Sequence, residues 1–445
     1  MKILIVNGSP RGRFSVTLQT CLYLAKRFPG HSFDYLNVGA GIQSLERDMA
    51  PAAAAFAKAE LVIFAYPVYT FLVPSQLHRF LELMKEQKLP VQDQYVTQLT
   101  TSKHFFDVTA HRFVEENCRD LGMRVIRGLS ADMEDLLTRQ GQKEAEDFLE
   151  YAVFCCENGL WEKGGVKTAP AEEPVYESAL APVKKKDGFD TVIIGDLREG
   201  DESLRAMIKD FDAVYPYRTR FVNLADFPFK GGCLGCLNCA VSGQCVYRDG
   251  FEKLLQDTVQ KADAVVYAFR LKDHSMGSRF KMYDDRQFCN GHRTLAEGKP
   301  FGYLCLGNLD GEENLLTVLK ARCEVEHSFF AGAACGAEEM QSLSARMVWA
   351  LEHGYNPPRN FYGVGGMKIF RDLVWLTRGL MRADHKFYRS RGLYDFPQKR
   401  WPRMLGLSLL GAMLRSRRLR RLVGGRMNEG MLAPYKKIVD GSDGR

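Results

Sequence analysis

Nowhere in the 445 residues does an apolar run reach the ~20 positions of a bilayer-crossing helix, so the sequence predicts no membrane span. The opening MKILIVNGSP lacks the charged, apolar and small-residue order of a signal peptide and runs straight into a strand-like stretch. The expectation is a cytoplasmic protein. In that reducing compartment a disulfide framework is not expected, and eight scattered cysteines (Cys21, Cys118, Cys155, Cys156, Cys289, Cys305, Cys323, Cys335) read as mostly buried small hydrophobes. No nucleic-acid-binding module is legible, and no catalytic acid–base set stands out.

What is present is a globular composition, 46% hydrophobic and 26% charged, on a chain too long for one ordinary core. The net charge of +7 is unevenly spread. Residues 346–445 carry 21 Lys and Arg against 7 Asp and Glu, while residues 1–345 carry 40 against 47. Apolar strand-like runs at KILIVNG, FDYLNV, LVIFAYPV, YVTQLT and MRVIRGL alternate with helical patterns, the signature of a doubly wound parallel sheet over residues 1–160. A segment rich in Pro, Gly, Ala and charge, 161–188, reads as a linker. A second series, DTVIIGD, RFVNLADF, ADAVVYAF and FGYLCLGN, fills 189–345. The two series align as an internal repeat: Ser75 falls on Ser278, His78 on Lys281 and Glu82 on Asp285. Residues 346–445 form a basic helical extension.

NGSPRGRFSVT (Asn7–Thr17) follows the first strand and opens the first helix. Its hydroxyls, arginines and free helix N–H groups suit a phosphomonoester, although glycine loops after strands are also ordinary capped turns. G-S-P-R followed by S-x-T, then P-x-Y before a P-S-x-L helix, resembles the NAD(P)H-dependent FMN reductase branch of the flavodoxin-like superfamily. The resemblance implies an FMN phosphate on Ser9, Pro10, Arg11, Ser15, Val16 and Thr17. It implies an isoalloxazine ring beside Pro67, Val68, Tyr69 and Thr70, bordered by Thr101 and Ser102. His104 and Tyr69 read as ring contacts or pocket wall. NAD(P)H is the implied co-substrate.

The second copy diverges. Its phosphate loop reads GDLREGDES, where Asp196, Glu199, Asp201 and Glu202 would repel a phosphate, and Arg270-Leu271-Lys272 replaces P-x-Y. The expectation is that this copy does not hold FMN in the usual way, unless Arg198 and Ser203 suffice. It gains Cys233, Cys236, Cys239 and Cys245, spaced C-x2-C-x2-C-x5-C. This spacing resembles the compact motif of iron–sulfur flavoproteins, which implies a [4Fe–4S] cluster on those four thiolates. Free thiols, or a zinc site, which usually pairs two separated knuckles, stand as alternatives.

The tail RMLGLSLLGAMLRSRRLRRLVGGRM ends in Arg415, Arg417, Arg418, Arg420 and Arg421. It reads as a helical extension packed on the acidic body, with peripheral contact to an anionic membrane as the alternative. The aromatics Tyr355, Phe361, Tyr362, Phe387, Tyr388 and Tyr394 read mostly as core, or as lining of a substrate pocket. The combined expectation is a pseudo-dimer within one chain, carrying electrons between NAD(P)H or ferredoxin and a small-molecule or protein acceptor. A cluster-free quinone, nitro or azo reductase and a redox-sensing binding protein remain alternatives.

Overall fold

The computed structural model describes residues 1–163, 175–177, 180–395, 401–413, 415, 416 and 418. Most of the expected linker's middle lies outside these residues, as do Arg417, Arg420 and Arg421 of the tail's arginine cluster.

The run Ile3–Val6 is apolar at every position and becomes the centre of β1 (Lys2–Asn7), covered on both faces. It lies between β2 (Ser32–Asn37) and β3 (Leu61–Pro67). Next come β4 (Tyr95–Ser102), β5 (Arg124–Val125) and β6 (Leu129–Asp132). All pairings are parallel, in the order β2-β1-β3-β4-β5, with β6 also on β4. The second sheet holds β7 (Asp190–Gly195), β8 (Arg218–Asn223), β9 (Ala264–Arg270), β10 (Pro300–Leu306) and β11 (Phe329–Ala334). Its order, β8-β7-β9-β10-β11, repeats the first, which is the flavodoxin-like order. The edge strands β2 and β8 are polar and half-exposed, which blunts edge-to-edge pairing. Both domains are thus doubly wound parallel sheets of flavodoxin-like form, followed by a helical C-terminal region.

Two details depart from the sequence reading. MRVIRGL is not one strand, because the chain breaks between β5 and β6 around Gly128, which lies against Gln98. And β11 has no counterpart among the expected strands: its Gly and Ala residues carry little strand signal, and register with β10 supplies what propensity does not.

Three buried clusters order the packing. One backs the outer face of the first sheet with Leu18, Leu24 and Phe148. A second does the same for the other sheet with Leu204, Phe211 and Met340. The third and largest is shared: Leu4, Phe64 and Phe80 of the first domain join Phe251, Phe269 and Phe280 of the second. At its centre the helix Ser75–Glu86 packs against the helix Ser278–Arg286. Each caps the other. The Ser278 backbone N–H and hydroxyl donate to Glu82 Oε1 and Oε2, both at 2.7 Å, while the Ser75 N–H donates to Asp285 Oδ2 at 2.7 Å. A carboxylate at a helix N-terminus satisfies free N–H groups and the helix dipole together.

The chain divides into two compact units, Met1–Phe387 and Tyr388–Arg445, and both sheets lie in the first. Among the described residues no helix is long and apolar enough to cross a membrane.

Candidate functional site

The loop after β1 is braced from within. Asn7 Nδ2 donates to the Gly12 carbonyl at 3.1 Å and to Asn37 at 2.9 Å, and Ser9 Oγ accepts the Arg11 N–H at 3.3 Å. Ser15 caps the helix Val16–Arg27 by accepting the Leu18 N–H. Ser9, Pro10, Ser15 and Thr17 are buried, Val16 is half-buried, and Arg11 and Arg13 extend into solvent. Thr17 Oγ1 lies 2.6 Å from Thr101 Oγ1, so the first loop and the end of β4 meet. Ser102 accepts the His104 N–H at 2.8 Å, and His104 pairs with Asp107 at 3.1 Å. Pro67 ends β3 in register with Thr101. Hydroxyls, two arginines and the open end of a 12-residue helix form a donor set that fits a phosphomonoester.

Beyond Pro67 and Val68 the chain turns sharply. Tyr69 and Leu72 exchange backbone hydrogen bonds across Thr70 (φ 40°) and Phe71 (φ 69°). The second copy repeats this turn, Lys272 to Ser275 across Asp273 (φ 50°) and His274 (φ 64°). Neither turn contains glycine, so each stores backbone strain that the surrounding contacts must hold.

The cysteine loop of the second domain lies directly on this turn. A side chain at Gly235 would collide with Tyr69 Oη and come within 3.9 Å of Arg11 Cδ. At Gly232 it would meet Ser75 Oγ and Gln76 Nε2. Gln76 Nε2 donates to the Cys233 carbonyl at 3.3 Å, and Phe288 sets its ring edge-on to Tyr69 at 5.5 Å. Burial first, then the charges of Cys233 and Asp285, push the Tyr69 phenol far up. Tyr69, Arg11 and the cysteines are therefore one neighbourhood, built from both domains.

Within the loop, Cys233 Sγ accepts the Gly235 N–H at 3.4 Å, and Cys239 Sγ donates to the Phe288 carbonyl at 3.2 Å. Burial raises the Cys233 thiol well above its usual range, with Asp285, Cys239 and Cys236 adding to it. Cys239 is pushed up to about 11 by burial, then by Cys236 and Cys245. Thiols that oppose one another's ionisation in this way suit a shared cationic centre, which discharges them all. Among the described residues, no three cysteine sulfurs gather within 4.8 Å of one another; that spacing belongs to Glu116, His274 and Glu312. Cys289, counted among the scattered cysteines, stands beside this loop: burial raises its thiol to about 12, and Cys245 and Cys239 contribute. No local spacing in the sequence marks it, since it arrives on the segment after the helix Ser278–Arg286. Six of the eight scattered cysteines are buried.

The second copy's phosphate position is filled from within. Asp201 caps its helix and binds Arg270 Nη2 at 2.8 Å, and Ser203 Oγ accepts the Tyr176 N–H at 3.2 Å. Asp196 lies 3.5 Å from Arg198 and 3.7 Å from Arg279. Of the C-terminal aromatics, Tyr362 packs on Phe106 at 5.6 Å, but Phe361 is 84% exposed and Tyr355 38% exposed, so those two are not core.

A family model described as the flavodoxin-like fold matches residues 1–111. An iron–sulfur flavoprotein of Clostridioides difficile is 21% identical over 189 residues, covering 38% of this chain and 81% of that protein. Among solved structures, general stress protein 14 of Treponema denticola, in complex with FMN, aligns at 12% identity and TM-score 0.29, over 35% of this chain and 99% of its own. An FMN-dependent NADH-azoreductase of Bacillus anthracis aligns at 13% identity and TM-score 0.27, over 35% and 100%.

Proposed function

We propose that the chain is a flavin-dependent oxidoreductase, passing electrons between NAD(P)H or a ferredoxin, one FMN on the first domain, and a [4Fe–4S] cluster on Cys233, Cys236, Cys239 and Cys245. The observation that carries this reading is the close approach of the cysteine loop to Tyr69 at Gly235, in the neighbourhood of Arg11. The phosphate-type loop of one domain and the thiols of the other come together, as an intramolecular pseudo-dimer would require. FMN, when bound, exchanges electron pairs with a nicotinamide and single electrons with a cluster. Arg11 supplies positive charge and Ser9, Ser15 and Thr17 supply hydroxyls for its phosphate, while Tyr69 and Phe288 exclude water between the two loops. The filled phosphate position of the second copy supports a single flavin per chain. The iron–sulfur name of the C. difficile relative supports the pairing of the two groups.

Anaerobic titration with NADH and NADPH tests the activity. Bleaching of the flavin band followed by cluster reduction is expected. A flavin that neither nicotinamide nor reduced ferredoxin bleaches contradicts it. Turnover by an FMN-bound, iron-free protein would make it a cluster-free quinone, nitro or azo reductase.

A further inference from the structure

The cysteine loop is clamped at both ends by one buried guanidinium. Arg286, the last residue of the helix Ser278–Arg286, is 1% exposed. Its Nη1 donates to the Gly231 carbonyl at 3.0 Å and to Asp249 Oδ2 at 2.9 Å, and its Nη2 donates to Asp249 Oδ1 at 2.8 Å. Gly231 and Asp249 bracket all four cysteines. The guanidinium also lies over the rings of Tyr247 at 4.6 Å and Phe251 at 4.8 Å. Although burial opposes it, the Arg286 pair holds the Asp249 carboxyl below its usual range.

One donor is left over. Arg286 Nε is buried and has no hydrogen-bond partner among the described residues. A buried donor without an acceptor costs about 1–3 kcal/mol, more when it is charged. Asp249 uses the two terminal nitrogens, so the described residues provide nothing for the third. Cys245 and Cys289 lie near enough to interact electrostatically with this guanidinium, which sets it beside the cysteine loop.

We propose that Arg286 is a positioning residue for a sulfur-held centre: it fixes the two ends of the cysteine loop and keeps its Nε–H for a sulfur acceptor. The inference rests on the reading of the four cysteines as cluster ligands. Hydrogen bonds and positive charge at the sulfurs favour the reduced, more negative state, so Arg286 raises the reduction potential. A lysine cannot replace it fully, because a point charge does not span Gly231 and both Asp249 oxygens.

The test uses the full chain purified anaerobically, as wild type, Arg286→Lys and Arg286→Gln. FMN per chain reports that the first domain is folded. With FMN unchanged, Arg286→Gln is expected to lose most of its iron, and its residual cluster to titrate at a more negative potential, with Arg286→Lys between it and the wild type. Arg286→Gln with wild-type iron and an unshifted potential overturns the inference. A wild-type protein without iron overturns the cluster reading and the sulfur half of the inference with it. The clamp is then read on that protein by trypsin at the exposed Lys230 and Arg248, where Arg286→Gln is expected to be cut about tenfold faster. Equal cleavage overturns the clamp as well.

Discussion

Lys281 of the second domain donates its ammonium to the Tyr69 carbonyl of the first at 2.9 Å. The same ammonium bonds Thr70 Oγ1 at 2.6 Å and pairs with Asp285. Both charges are fully buried, and Thr70 in turn donates to Asp285 Oδ1 at 2.6 Å. The turn proposed to border the flavin is thus held from the neighbouring domain. Lys281→Met strands Asp285 without a counter-charge and is expected to cost about 3–5 kcal/mol in urea unfolding. Lys281→Met/Asp285→Leu removes both charges and is expected to recover only part of that stability, because it also takes the cap from the Ser75 N–H. Its FMN retention stays low, because the turn has lost both supports. Full FMN retention in the double variant contradicts a positioning role.

Arg11 is exposed and caps nothing, so Arg11→Ala is expected to change folding stability by less than about 0.5 kcal/mol. Its loss from a phosphate site removes a charged hydrogen bond of about 1.5–3 kcal/mol, a roughly 10- to 100-fold weaker FMN affinity by calorimetry. Unchanged affinity would move the phosphate elsewhere. Ser15→Ala is expected to weaken FMN binding and also to cost about 1 kcal/mol of stability through the lost cap.

Gly235 has φ +60°, and an added Cβ there would strike the buried Tyr69 hydroxyl. Gly243 has φ +79° with nothing within 4 Å. Alanine at Gly243 therefore carries only the left-handed backbone cost of about 1–2 kcal/mol. Alanine at Gly235 adds a clash that lifts the loop from the first domain. Iron retention is expected to fall in Gly235→Ala and to persist in Gly243→Ala; equal retention in both contradicts the loop contact.

Two histidines give opposite pH signatures. Burial acts to lower His274, but Asp120 at 2.9 Å across the domain junction and Glu312 at 3.0 Å within its own domain raise it to about 10. Glu116 also faces it, and Lys85 shares Asp120. Because the folded value exceeds the unfolded ~6.5, the stabilisation is complete below about pH 6.5 and fades as pH rises towards 10. Burial lowers His111 to about 4, so its contribution is present above about pH 6.5 and fades as pH falls towards 4. Unfolding free energies of wild type and His274→Gln should differ most below pH 6.5 and converge on the alkaline side. A gap that widens on the alkaline side contradicts the carboxylate pairing.

Much of this arrangement is legible in the residues themselves. Continuous apolar runs such as Ile3–Val6 mark buried parallel strands, and the repeat alignment pairs Ser75 with Ser278 and Glu82 with Asp285. What the alignment does not reveal is that these positions cross. Glu82 caps Ser278 and Asp285 caps Ser75, over separations of 196 and 210 residues. Such contacts leave no periodic trace. The turns at Thr70-Phe71 and Asp273-His274 are also silent, because neither carries the glycine or asparagine that announces a left-handed turn. Cys289 and Arg286 join the site through the fold of a helix rather than through spacing. The four loop cysteines are conspicuous in the sequence, but their seat on Tyr69 depends on the packing of two domains.

The central claim is that one flavin and one cluster share this chain. Anaerobic absorbance with flavin, iron and acid-labile sulfide assays on the same sample tests it most directly. The account predicts one FMN per chain, together with iron and sulfide in the ratio of a [4Fe–4S] cluster. FMN bands without iron, or two flavins per chain, would contradict it.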